Sequence, residues 1–271
     1  MNTRFFKTSR RNFSLVAVLL VVTIGMSPQH SRADDLNWTI APYLWTSDVG
    51  LDVKVNGDPI LGADVAFKDL LDKLDAAFMG HIELSSDNFG AFFDVIYISL
   101  ADSKTVNLGP DGPILGDLLL DVDLKLNIYE LGGLYRMGSG EVGSSAFDII
   151  GGVRLVDVTQ NVDIVLPGPG ATPVNKVIDT SETDIFVGAR LIGKFTEKWH
   201  YKLRADIAGG GTERTINGLA AVGYTFGQTG LFSLDLGYRY MNIELKNEDV
   251  SGTIETDITM SGPVLGFIFN F

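Results

Sequence analysis

The chain has no cysteine, which excludes both a disulfide framework and a thiolate metal site. Beyond residue 33 no apolar run approaches the roughly 20 residues that a membrane-spanning helix needs. Positive charge is also scarce: 21 lysines and arginines face 34 aspartates and glutamates, for a net charge of -13. A surface of that sign repels nucleic acid and attracts divalent cations. What the chain has in quantity is apolar residues, at 45%, and 31 glycines. That composition is too apolar for disorder, and the glycines suit strands and turns better than long helices.

Residues 1–33 read as a secretory signal peptide. Arg4, Lys7, Arg10 and Arg11 form a basic start, Phe13 to Met26 an apolar core, and Ser31 and Ala33 the small residues before cleavage at Asp34. Ser9-Arg10-Arg11-Asn12-Phe13 also resembles a twin-arginine motif, although the strongly apolar Leu15 to Val22 favours the general secretory route. Removing these residues, which carry five bases and no acid, leaves 16 bases against 34 acids, a net charge of -18. Residues 34–271 are then expected to form a single domain.

The mature chain shows segments of ten or more residues in which apolar and polar positions alternate, near 37–46, 76–86, 89–101, 119–136, 144–158, 182–195, 199–209, 216–227, 231–245 and 254–271. From Trp199 onward, Trp199, Tyr201, Leu203, Ala205 and Ile207 share one phase, and His200, Lys202, Arg204 and Asp206 the other. A soluble β-sandwich alternates too, so period alone does not decide between sandwich and membrane barrel.

Two features favour the barrel. The connections alternate in length, long at 47–75, 102–118 and 159–181, and tight at Ser86-Asp87-Asn88, Glu197-Lys198 and Gly227-Gln228-Thr229-Gly230. Short periplasmic turns and longer external loops are what an outer-membrane barrel requires; the brief external Gly209-Gly210-Gly211 is the exception, and it reads as a tight turn. Aromatic residues of the apolar phase also gather at the tight-turn end, at Phe89, Tyr135, Phe147, Phe195, Trp199, Tyr224, Phe232 and Phe271. The segment 119–136 resists: Val122, Leu124 and Leu126 share a phase with Glu130 and Arg136, which calls for a bulge near Asn127 or other boundaries.

Gly132-Gly133 before Tyr135-Arg136, Gly237-Tyr238-Arg239-Tyr240, the opening Ala41-Pro42-Tyr43-Leu44-Trp45 and the closing Gly262 to Phe271 resemble the strands of small Gram-negative outer-membrane barrels of the OmpA/OmpW-like superfamily. The resemblance implies an all-β, transmembrane, antiparallel up-and-down β-barrel of about ten strands in the outer membrane. It also implies that Phe267, Phe269 and Phe271 form the signal read by the barrel-assembly machinery. It says little about activity.

The inward phase collects Glu83, Asp94, Glu130, Asp148, Asp184, Asp206 and Asp235 against Arg136, Arg154, Arg190, Lys194, Lys202, Arg204 and Arg239. Such a balanced set reads first as a structural ion-pair network filling the lumen, and second as a narrow, porin-like path for small solutes. Excess acid falls to external tips such as Asp48, Asp52, Asp102, Asp111, Asp117, Glu248 and Asp249, where lipopolysaccharide bridged by divalent ions is a plausible partner; no spacing matches a calcium loop. An outer-membrane enzyme acting on lipid or peptide is the rival from another class. Of its possible bases, His81 and His200, neither lies at the external rim beside a carboxylate pair or serine, so no catalytic, metal or cofactor site is expected. In the first external loop, Phe67, Leu70, Leu71 and Leu74 are spaced for a short amphipathic helix over 65–75 with Asp64 as N-cap. The barrel is expected to be monomeric.

Overall fold

The computed structural model describes residues 36–71, 74–107, 117–139, 141–165, 174–249 and 252–271. The expected signal segment and cleavage site, and loop positions such as Asp111, lie outside the described residues.

The strands are β1 (Asn37–Trp45), β2 (Asp48–Val55), β3 (Asp58–Val65), β4 (Leu74–Ser85), β5 (Phe89–Asn107) and β6 (Asp117–Met137), continued by β7 (Ser145–Val165), β8 (Val174–Lys194), β9 (Trp199–Gly210), β10 (Arg214–Phe226), β11 (Phe232–Asp249) and β12 (Gly252–Asn270), with one short helix, α1 (Phe67–Leu71). Strands β4 to β12 follow one another around the wall, and β1 closes it by pairing with both β4 and β12. At the seam, Trp38 N donates to Phe271 O at 3.1 Å and Phe271 N to Trp38 O at 2.9 Å. The result is a closed antiparallel barrel of ten staves.

β2 does not add a stave. It pairs with β12 over Ile254 to Ser261, beyond the stretch that β1 occupies, so β1 and β2 are successive parts of one line. The line steps at Thr46-Ser47 against Gly262, where a Cβ would meet Thr46 O at 2.1 Å. β2 then turns into β3 through Asn56 and Gly57, both at positive φ (54° and 86°), as a two-residue hairpin with the strand twist requires. This hairpin replaces most of the expected first loop. The helix is shorter than 65–75, and Asp64 belongs to β3; the backbone N of Phe67 is instead capped by Asp48 Oδ1 at 2.7 Å.

Alternation sets which face meets lipid. On β8, Ile185 and Val187 point out and are 74% and 58% exposed, whereas Asp184, Phe186 and Arg190 point in and are buried. At a rise of ~3.3 Å and a tilt of ~40°, the outward apolar stretch from Ile185 to Phe195 covers roughly 25 Å, the height of a membrane belt. Strands β6, β7 and β8 each have 21 residues, so about half of each stands beyond the belt. The expected loops at 102–118 and 159–181 are therefore in large part wall.

At the tight-turn rim the aromatic residues touch in sequence: Trp199 to Tyr224 at 5.1 Å, Tyr224 to Phe226 at 4.9 Å, Phe226 to Phe232 at 5.4 Å and Phe232 to Phe269 at 5.3 Å. Phe89 stands 5.1 Å from Tyr135, and Phe195 4.8 Å from Tyr201. The rings gathered at one end in the sequence are thus a girdle.

Candidate functional site: the lumen

β6 corrects the expected change of face. Its pairing with β5 and β7 runs without a break past Asn127, so Leu126 and Ile128 point into the lumen on the phase of Glu130. They belong to an apolar layer with Trp45, Met79, Ile96, Val156, Met241, Ile243 and Met260, most of it fully buried. Five strands repeat one order. Moving away from the tight-turn end, Tyr43 precedes Trp45, His81 precedes Met79, Asp94 precedes Ile96, Arg154 precedes Val156 and Arg239 precedes Met241. A charged layer therefore lies on the tight-turn side of an apolar layer built from β1, β4–β7, β11 and β12.

The charged layer is a connected lattice. Arg190 grips Glu83 with Nη1 and Nη2 at 2.5 and 3.0 Å, and its Nε reaches Asp148 at 2.8 Å. Arg136 binds the same Asp148 through Nε at 2.8 Å and Nη2 at 3.1 Å. Beside them is a four-membered ring. Arg154 donates to Glu130 at 3.0 Å and Asp206 at 2.5 Å, and Arg204 donates to the same two carboxylates at 2.7 Å each. Each guanidinium bridges two acids, the geometry in which arginine outperforms lysine.

Three residues beyond the expected lumen charges join these parts. Tyr43 accepts from Arg239 Nη1 at 3.0 Å and donates to Asp94 at 2.8 Å. Asn217 accepts from Arg239 Nε at 3.0 Å and donates to Asp206 at 2.8 Å. His81 lies between Asp94 and Glu83, at 3.3 and 3.5 Å. His81 thus does meet a carboxylate pair, though inside the lumen; the 86–88 turn sets His81 opposite Asp94, and Glu83 shares their face. Aromatic faces cover the cations from the sides, with Phe186 5.3 Å from Arg154, Phe92 5.4 Å from Arg204 and Trp45 5.1 Å from Arg239.

Asp235 forms a smaller group near the rim, with His200 Nε2 at 2.8 Å and Lys202 Nζ at 3.8 Å. Gly223 makes room for it, since a Cβ there would lie 2.1 Å from Asp235 Oδ1 and 2.2 Å from His200 Nε2.

Two further residues expected in the network also lie outside it. Asp184 is fully buried but accepts from Gly211 N at 3.1 Å, Thr212 N at 2.8 Å, Thr212 Oγ1 at 2.7 Å and Thr215 Oγ1 at 3.2 Å. It holds the brief β9–β10 connection, whose Gly210 has φ of 141°. Lys194 is exposed at the tight-turn end. Alternation gives the face of a residue but not its partner, and three of the four donors around Asp184 come from a turn that alternation does not describe.

The inner face is uneven. Phe92, Leu134, Ile150, Phe186 and Ala208 fill the β5–β9 side, whereas β1 and β10–β12 present Ala41, Ala221, Gly237 and Gly266. A cavity remains along these small residues, bounded by Arg239 and Tyr43 toward the apolar layer and by Lys202, Asp235 and Ile268 toward the rim. Among the described residues no cluster of histidines and acids could hold a metal ion.

No protein-family model and no curated protein matches the chain. Among solved structures, the outer-membrane protease OmpT of Escherichia coli is similar at 11% identity and a TM-score of 0.48, over 90% of this chain and 99% of that one. Ail of Yersinia pestis, an attachment invasion locus protein, gives 11% identity and 0.35, over 88% and 100%. The translocator domain of NalP from Neisseria meningitidis gives 12% and 0.38, over 85% and 89%. The assignment follows from the wall itself. Its closure pairs the backbone groups that hydrocarbon would leave unsatisfied, its belt has bilayer height and its aromatic rim lies at one interface, so the chain is a membrane-spanning β-barrel.

Proposed function

We propose that this chain is a non-conducting structural barrel of the cell envelope, monomeric and without catalytic machinery. The observation that carries this reading is the apolar layer across the lumen, in which Ile96, Met241, Ile243 and Met260 have 0% exposure. Ions would have to cross it after passing a lattice in which Glu130, Asp148 and Arg154 are also sealed from solvent. Ten staves lie near the side-chain-filled end of the barrel series, where about 8 strands are packed and about 16 leave an open channel. The same layer argues against a protease-like role, because a substrate arriving from outside meets apolar side chains before it reaches His81.

Export with cleavage after Ala33, and recognition of Phe267, Phe269 and Phe271 by the assembly machinery, belong to the same reading. Above the apolar belt the surface turns to charge at Asp52, Lys54, Glu213, Glu244 and Asp257, with Arg214 paired to Glu244, which supports contact with lipopolysaccharide headgroups and their divalent counter-ions. The second reading, a narrow small-solute channel, is favoured by the periplasmic cavity alone. Planar-bilayer recordings separate the two. The wild-type barrel is expected to stay electrically silent; discrete steps that change in size when Arg190 or Arg239 is replaced by alanine would establish the channel instead.

A further inference from the structure

Closure joins the two staves that are edges until that moment, and both prolines of the described wall lie on them, Pro42 on β1 and Pro263 on β12. Their missing donors face the same joint. Trp38 and Phe271 exchange both backbone bonds across it, and in an antiparallel ladder every second residue repeats that direction. Pro42 therefore stands opposite Phe267, and Pro263 opposite Thr46, each with its nitrogen turned toward the other edge. The pairing agrees. The β1–β12 register skips Ala41 and Pro42, and at its far end Thr46 N donates to Pro263 O at 2.9 Å while Pro263 has no N–H to return the bond. On its other side β12 pairs with β11 through Tyr238 and Pro263 without a break. The closed barrel thus forgoes two ladder bonds, those to Phe267 O and Thr46 O, although nothing in the closed state gains from their loss.

The same two edges lack the other common guard, which is charge. No charged side chain occurs from Leu36 to Ser47 or from Ile258 to Phe271, whereas the adjacent β4 and β11 carry Glu83, and Asp235 with Arg239. Apolar, uncharged strands with a row of open backbone groups pair readily with other chains. A proline at the edge withholds one of those groups. We propose that Pro42 and Pro263 keep the first and last staves from pairing with those of a second copy of this chain before the barrel closes. The surface concerned is the open edge of β1 or β12, and the partner it discourages is the same edge of another unclosed barrel. The device acts before closure, so it is separate from the monomeric end state proposed above.

The test is refolding of the barrel from urea into detergent micelles over a range of protein concentrations, for the wild type and for Pro42→Val combined with Pro263→Val. The double variant should keep at least the wild-type urea midpoint, yet lose refolded monomer at a protein concentration about tenfold lower, the effect of one to two added bonds on association. Because the chain has no cysteine, adding Leu44→Cys on β1 should trap the associated copies as disulfide-linked dimers, and adding Val187→Cys on β8 should trap far fewer. Should the double variant fail to fold at every dilution, Pro42→Val alone is measured in the same way. Equal yields at every concentration, a loss of yield that follows a lowered midpoint, or equal crosslinking at the two cysteine positions would overturn the proposal.

Discussion

Arg154 offers the sharpest test of the lattice. Its side chain and those of Glu130 and Asp206 are all 0% exposed, and it lies within 2.8 Å of Glu130 and 2.5 Å of Asp206. Arg154→Met keeps an unbranched apolar stem but leaves the two carboxylates with Arg204 as the one cation within the ring. Removing one partner of a buried pair costs about 3–5 kcal/mol, because the other charge stays behind uncompensated. Two features place this case at the lower end: Arg204 still bridges both acids, and Arg154 Nη1 has no hydrogen-bond partner among the described residues. A loss of about 3 kcal/mol is roughly a hundredfold in the folding equilibrium. It should be read as a lower urea midpoint at unchanged slope for the barrel in micelles, followed by tryptophan fluorescence. Adding Glu130→Gln removes one stranded charge, and the double variant should recover about 2 kcal/mol relative to additivity. The exposed pair Arg214–Glu244 is the control, and Arg214→Ala should cost less than about 1 kcal/mol. If Arg154→Met costs no more than that control, water reaches the lattice and the sealed lumen is wrong.

Three further outcomes follow from the geometry. Gly152→Ala should destabilise the barrel by about 1–3 kcal/mol, because its Cβ would lie 2.1 Å from the backbone oxygen of Leu131, whereas at Gly133 the nearest atom is 3.7 Å away and alanine should be tolerated; parallel urea titrations decide. Asp184→Ala strips the acceptor from four donors, and should cost about 1–3 kcal/mol and speed amide exchange selectively at 209–213; uniform exchange along β9 would refute the local role. Phe271, 62% exposed, adds little to packing, so Phe271→Ala should lower the yield of membrane-inserted protein in cells while shifting the urea midpoint of refolded protein by less than about 0.5 kcal/mol; equal yield would remove the assembly role.

The ten staves were legible because lipid and lumen impose opposite chemistry on alternate residues, as Ile185 and Asp184 show within two positions. Other parts were obscured by the expectation that inward means polar. Leu126 and Ile128 alternate correctly, but as apolar lumen residues they mimicked a change of face. The β2–β3 hairpin had its signal in Asn56-Gly57, flanked by Val53, Val55 and Ile60, and the helical spacing of Phe67 to Leu74 drew attention from it. Strand ends at 102–107 and 174–183 were missed because beyond the height of the belt lipid no longer requires apolar and polar residues to alternate by phase. The lattice was legible as membership for ten of its residues, with Asp235 and Lys202 in their own group at the rim, and not as pairing. Partners such as Tyr43 and Asn217 carry no charge, and shear between staves brings together side chains far apart in sequence.

The seam between β1 and β12 also bears on the order of events in folding. Thr39 and Asn270 are hydrogen-bonded across 231 positions, so the barrel has its most distant contact at the joint that closes it. Hairpins from β4 to β12 can zip from turn to turn, but Tyr43 cannot link Asp94 to Arg239 until the first stave meets the last. Before that moment Arg239 and Asp94 lack the bridge that joins them, and β1 and β12 each present an unpaired edge. Contact order of this kind slows folding, and here it also makes it conditional: the inner lattice completes only in a ring of correct count, so a cylinder closed one stave short would leave buried charge without its counterpart.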